Sequence, residues 1–303
     1  MSRVAAGIAE EQTGSSLRDW WLLLKPNVMQ LVVFTSAAGL YLAPGSLHPL
    51  LTVVALLCIA VGAGACAALN NAWDTDIDAL MARTRRRPTA CGRIDRSEAA
   101  AFGGVLALFS VAVMGLALNW LAAGLLAFTI LFYVVVYTML LKRRTPQNIV
   151  IGGLAGALPP LVGWSAVTGA IDTFPLLLVL VIFLWTPAHF WALALNRAEE
   201  YARAGVPMLP VVAGATATRN HILGYAGLTA GAALIPALAG FTGSLYGVGA
   251  LLLGAGFLFE ALRLRLQPSP KRAMRLFAFS ILYLFVLFLL LVVDHAFPLG
   301  GTR

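Results

Sequence analysis

HPLLTVVALLCIAVGAGACAALNNAWDTDID, residues 48–78, runs from an apolar stretch directly into a cluster of acids. Residues 48–70 contain no Asp, Glu, Lys or Arg. About 20 apolar residues let one α-helix cross the hydrocarbon core of a bilayer. The stretch therefore reads as a membrane span that ends, at one surface, in Asn70, Asp74, Asp76 and Asp78. Arg83, Arg85, Arg86 and Arg87 follow at once. Acids gathered at a membrane boundary beside arginines suit a divalent cation and a phosphate-bearing substrate.

The rest of the chain has the same character. Of its 303 residues 60% are hydrophobic and 11% charged, whereas soluble domains carry roughly 25% charged residues. Cutting the chain at its polar junctions gives nine spans, 22–43, 48–70, 98–118, 120–141, 147–167, 174–195, 219–239, 242–263 and 274–296. The expected fold is an all-α polytopic membrane bundle. Residues 1–21 read as an N-terminal tail, 22–296 as one intramembrane domain and 297–303 as a C-terminal tail. Residues 1–18 include Glu10 and Glu11 and are not Arg-rich, so they read as neither transit peptide nor cleaved signal.

With the N-terminus placed in the cytoplasm, every Lys and Arg except Arg303 falls in a cytoplasmic segment. So clean a division matches the positive-inside rule. It also explains the net charge of +8 as topology, which argues against nucleic acid as a partner. Cys58, Cys66 and Cys91 lack metal-ligand spacing and read as packing residues. The exterior loops are minimal and the interior ones, 71–97 and 196–218, are long, so chemistry is expected on the cytoplasmic face.

Three groups can carry it. Asn70, Asp74 and Asp78 are spaced by four; each such step turns a helix by about 400°, leaving the three nearly on one face with Asp76 pointing away. One amide and two carboxylates there supply hard oxygen ligands for Mg²⁺. A second acidic group, Asn196, Glu199 and Glu200, ends the sixth span on the same side, with Asn196 and Glu200 expected to share a helix face. Lys142, Arg143 and Arg144 end the fourth span and can face the same cavity. His189 lies deep in a span, next to Pro187, and is a functional candidate on that ground.

The motif Asn70-x₃-Asp74-x₃-Asp78-x₂-Met81-x-Arg83-Thr84-x₂-Arg87-Pro88 resembles the first aspartate-rich motif of the UbiA-type intramembrane prenyltransferases. With Tyr137 to Trp164, Trp185 to Pro210 and Lys25-Pro26, the chain resembles more narrowly the protoheme IX farnesyltransferase (heme O synthase) branch, over about residues 22–296. The resemblance implies nine helices around a cavity open to cytoplasm and lipid. The implied reaction moves a farnesyl group from farnesyl diphosphate to a vinyl group of heme B, giving heme O for heme A biosynthesis in a cell inner membrane. Asn70, Asp74, Asp78 and Glu200, with Glu199, would hold Mg²⁺. Arg83, Arg87, Lys142 and Arg143 would bind the diphosphate, with Asp74, Asp78, Arg83 and Lys142 at the chemistry. His189 and Trp185 are the candidate heme contacts, and a heme A synthase is the candidate partner. Glu199 and Glu200 stand where the family usually has aspartate, Asn196 where tyrosine is common, Ala188 where proline is usual and Asn27 where arginine is frequent. A transporter would place its acids near the midplane on broken helices, and a heme-binding structural subunit would have no use for the Asn70–Asp78 group.

Overall fold

The computed structural model describes residues 15–297. The N-terminal segment with Glu10 and Glu11, and Arg303, lie outside the described residues. Within them every regular element is a helix: α1 Leu17–Leu23, α2 Pro26–Leu42, α3 Pro49–Trp73, α4 Thr75–Leu80, α5 Arg96–Ala117 and α6 Trp120–Leu131, which continues as a π-helix, Phe132–Leu141. Then come α7 Asn148–Ala157, α8 Pro159–Thr168, α9 Thr173–Leu195, α10 Ala198–Arg203, α11 Leu209–Val212, α12 Gly214–Leu238, α13 Ser244–Leu266 and α14 Pro270–Ala296. Eight helical segments are long and apolar enough to cross a membrane, or nine if the bent pair α1–α2 counts as one. Helices are the expected answer, because in lipid each segment must satisfy its own backbone hydrogen bonds.

The ends of these helices are written locally. Ser16 and Asp19 form a capping box on α1, and Asp95 and Glu98 form another on α5. Asn119 accepts from the Ala122 amide at 2.8 Å to start α6 and donates to the Ser165 carbonyl at 2.9 Å, tying two helix ends together. Asp294 accepts from the Gly243 and Tyr246 amides at the start of α13.

Two spans depart from the simple reading. The first, expected over 22–43, breaks at Lys25: α1 meets α2 at 51°, and Lys25 takes the left-handed conformation (φ 52°, ψ 58°). Pro26 disfavours a right-handed helical residue before it and suits the first position of the next helix. The fifth span is interrupted at Leu158, where Pro159 and Pro160 remove two backbone donors. This interruption brings α8 against α2 at backbone distance. A Cβ on Gly39 would lie 2.1 Å from the Pro160 carbonyl oxygen, and one on Gly163 would lie 2.2 Å from that of Ser36. The larger core lies between α2, α8, α9 and α12–α14; a second, with Ile59, Met114, Leu126, Ile130 and Val162, packs α3 with α5, α6 and α8.

Candidate active site

The ladder of α3 carries on past its end, since the Asp74 amide donates to the Asn70 carbonyl at 2.9 Å and that of Asp78 to Asp74 at 2.8 Å. Fourfold spacing therefore keeps Asn70, Asp74 and Asp78 in a column, as expected, and all three are buried, Asp74 completely. The Asn70 amide donates to Asp74 Oδ2 at 2.6 Å and to Thr138 Oγ1 at 3.3 Å. Lys142 donates to Asp74 Oδ2, and Arg87 donates to Asp78 Oδ2 at 2.6 Å. Asp76 points outward, where both Nη atoms of Arg143 donate to its carboxylate at 2.7 Å. Arg143 also stands 3.8 Å from Asp74 Oδ1. Its guanidinium holds the Asp76 carboxyl down at about 2. The acids do pair with neighbouring bases, but an ion pair buried this deeply adds little net stability, because desolvation costs several kcal/mol per ion.

Lys142 reaches Asp74 through the π-helix that precedes it. Its own amide bonds five residues back, to the Tyr137 carbonyl at 2.9 Å. A π-turn adds one residue to a turn and rotates the residues after it, and such turns concentrate at functional sites. Gly152 makes room for it, since a Cβ there would meet the Tyr137 ring at 2.3 Å. Asn148 donates to the Lys142 carbonyl at 3.3 Å and fixes the exit of the segment. No periodicity in the sequence marks this change of helix type.

The second acidic group is arranged differently from the expectation. Helix α9 ends at Leu195, and α10 starts afresh at Ala198 after Arg197. Asn196 and Glu200 therefore do not share one helix face. Asn196 donates outward to the Pro270 carbonyl at 3.0 Å. Glu199 is exposed, whereas Glu200 turns in and pairs with Arg197 at 3.1 Å. The loop nonetheless closes on the first motif: Tyr201, Val206 and Met208 pack with Ile77, Met81 and Ile149. The Tyr201 hydroxyl, pushed up by burial, lies in the field of Arg83, Arg197, Glu200 and Arg87. Arg83 itself is exposed and makes no hydrogen bond or ion pair among the described residues.

Behind the column lies an apolar cavity of about 230 Å³, walled by residues such as Met29, Ile59, Ala63, Ile130, Tyr133 and Phe190. Lys25 is among its lining residues and donates to Asn70 Oδ1 at 2.8 Å, a contact that joins the cavity to the acidic column. Sequence reasoning left Lys25 and Tyr133 out of the site; a lysine directly before the proline that opens a span was the available signal. His189 and Trp185 do not line this cavity. The His189 ring is stacked between Trp185 and Phe277, with Nδ1 2.6 Å from Ser280 Oγ. Both side chains face α14.

Among the described residues no three His, Cys, Asp or Glu side chains form a metal shell by themselves. Asp74 Oδ1 and Glu200 Oε2 are, however, buried acceptors with no hydrogen-bond partner. Hard, unsatisfied oxygens fit Mg²⁺, which keeps waters and takes further oxygens from substrate phosphates.

A helical membrane bundle in which an apolar chamber meets carboxylates and cations at one surface has the build of an intramembrane enzyme for amphiphilic, anionic substrates. The profile of the UbiA prenyltransferase family matches residues 31–292. The chain is 55% identical, over 99% of its length and 95% of the relative's, to the protoheme IX farnesyltransferase of Parvibaculum lavamentivorans. It belongs to the UbiA prenyltransferase family and, within it, to the protoheme IX farnesyltransferases. The fold agrees. The structure of a digeranylgeranylglyceryl phosphate synthase superposes with a TM-score of 0.77 at 17% identity, covering 92% of this chain and 98% of that one. A UbiA homolog from Archaeoglobus fulgidus, solved with GPP and Mg²⁺, superposes at 0.65 and 16%, covering 91% and 99%.

Proposed function

We propose that this chain, acting as one intramembrane domain over residues 22–296, transfers a farnesyl group from farnesyl diphosphate to a vinyl group of protoheme IX, giving heme O. The observation that carries the reading is the contact of Lys25 with Asn70, which joins the apolar cavity to the acidic column; the 55% identity to a relative of that activity supports the acceptor. An amphiphile with an apolar tail and a diphosphate head fits that division of polarity.

Asn70, Asp74, Asp78 and Glu200 would hold Mg²⁺, with Glu199 at the rim, and bound Mg²⁺ supplies charge neutralisation for the departing diphosphate. Lys142, Arg143, Arg87 and Arg83 would bind the diphosphate oxygens and stabilise the charge that develops as the carbon–oxygen bond lengthens. The apolar walls keep water from the allylic carbon while its bond to oxygen breaks. The vinyl π electrons then form the new carbon–carbon bond, and water adds to the resulting cation, its proton leaving with the diphosphate. We place the acidic face in the cytoplasm and the bundle in a cell inner membrane; the concentration of Lys and Arg in the loops beside the acidic face supports that orientation. A heme A synthase would be the recipient of the product.

The test is purified protein in detergent with heme B, farnesyl diphosphate and Mg²⁺, with hemes resolved by chromatography and mass. A heme heavier by one farnesyl group plus water, lost with chelator and regained with Mg²⁺, is the expected result. Farnesyl transfer to an aromatic quinone precursor with none to heme would replace the acceptor.

A further inference from the structure

Lys25 combines three properties. Of the described residues lining the apolar cavity it is the only charged one. Its ammonium caps Asn70 Oδ1 at 2.8 Å, the oxygen that the column would otherwise offer a ligand. Among the described residues it is also the only non-glycine at positive φ (52°). An L-residue is disfavoured in that conformation and glycine is not, so the backbone at this joint gains nothing from a lysine. The side chain is what the position uses.

Its electrostatic surroundings are mixed. Arg87 and Lys142 repel the ammonium, while Asp78 and Asp74 attract it. Asp74 and Asp78 are already engaged by Lys142 and Arg87. A neutral amide oxygen is therefore the partner left to Lys25, and an anion arriving at the head of the cavity would offer it a far stronger one.

We propose that Lys25 is a substrate-binding residue for the phosphate nearest the prenyl chain, and that in the free protein it occupies Asn70 as a placeholder. An apolar tail in the cavity places the first phosphate beside Lys25. The ammonium then moves from Asn70 Oδ1 to phosphate oxygen and frees the amide oxygen for the head group's counter-ion. This rests on the reading of the chain as a prenyl diphosphate transferase.

The experiment measures binding to full-length protein in detergent, by calorimetry, with two probes: a non-hydrolysable thio-analogue of farnesyl diphosphate, and farnesol. The variants are Lys25→Gly and Lys25→Arg. Since glycine takes positive φ without strain, Lys25→Gly is expected to keep its thermal midpoint and its farnesol affinity. It is expected to bind the diphosphate analogue about tenfold or more weakly, the scale of a lost charge-assisted hydrogen bond. Lys25→Arg is expected to recover part of that affinity. Unchanged affinity for the analogue in Lys25→Gly would overturn the proposal, and an equal loss for farnesol would make Lys25 a scaffold residue and overturn it too. Wild-type protein that binds farnesol but not the analogue would instead sink the transferase reading, and this proposal with it.

Discussion

Asp74 and Asp76 stand two residues apart and differ in what surrounds them. Asp74 is completely buried and held by Asn70 and Lys142, whereas the Asp76 side chain is 65% exposed and held by Arg143 alone. Asp74→Asn keeps the shape and removes the charge, and is expected to lower heme O formation about a hundredfold or more, the scale of losing a positioned charge, with the protein still folded in membranes. Asp76→Asn is expected to change turnover less than about threefold, because exposed pairs contribute little. Its depressed pKa, about 2 in place of 3.8, means that the Asp76–Arg143 pair is complete above the unfolded value and lost as pH falls through the folded one. Activity between pH 5 and 8 should carry no inflection from this group, and a pH–rate profile of Asp76→Asn beside wild type checks it. Glu200→Asp is expected to retain activity, since the carboxylate that turns inward is kept and the family's usual residue is restored. Complete loss there, assayed by heme mass, would mean the second acidic group is used in another way.

At the scale of an element, the π-helix at Phe132–Leu141 decides where Lys142 points. Deleting the exposed residue Val135 would return the segment to α-helical register and turn the residues after it by about 100° relative to those before. The deletion variant is expected to insert normally and to lose the Lys142–Asp74 contact, with turnover falling about as far as in Asp74→Asn. Wild-type turnover from it would show that the wide turn is incidental to the site. Lys142 at the end of the fourth span was legible as a candidate from its type and place. The π-turn was not, because a side-chain pattern of period near four describes both helix types.

For the whole molecule, the two long loops, 71–97 and 196–218, form one roof. Tyr201, Val206 and Met208 pack on Ile77 and Met81, so the second loop holds the first motif in place. Removing the ring with Tyr201→Ala takes out a buried aromatic, a change worth about 3–5 kcal/mol in packed cores. Its cost is expected to fall on the roof rather than the bundle. The measurement is limited proteolysis: cleavage between 196 and 208 should accelerate while the spans stay protected, and the KM for farnesyl diphosphate should rise. Unchanged cleavage would mean the loop is held by something other than this cluster.

Hydropathy placed the spans to within a few residues, and spacing by four put Asn70, Asp74 and Asp78 on one face. Both are short-range properties: a helix in lipid closes its own hydrogen bonds, and neighbours at i and i+4 share a face whatever the rest of the chain does. Spacing failed where the helix itself stopped, between Asn196 and Glu200, because the break after Leu195 resets the rotation. It was also silent on partners. Lys142 comes to Asp74 from 68 residues away and Lys25 to Asn70 from 45, and His189 turns to Phe277 and Ser280 of the last helix. Those pairings depend on the azimuth of each helix, which advances 100° per residue and is set by breaks, π-turns and close crossings such as Gly39 on Pro160. Hydropathy carries no record of that angle, so packing alone decided which cation meets which acid.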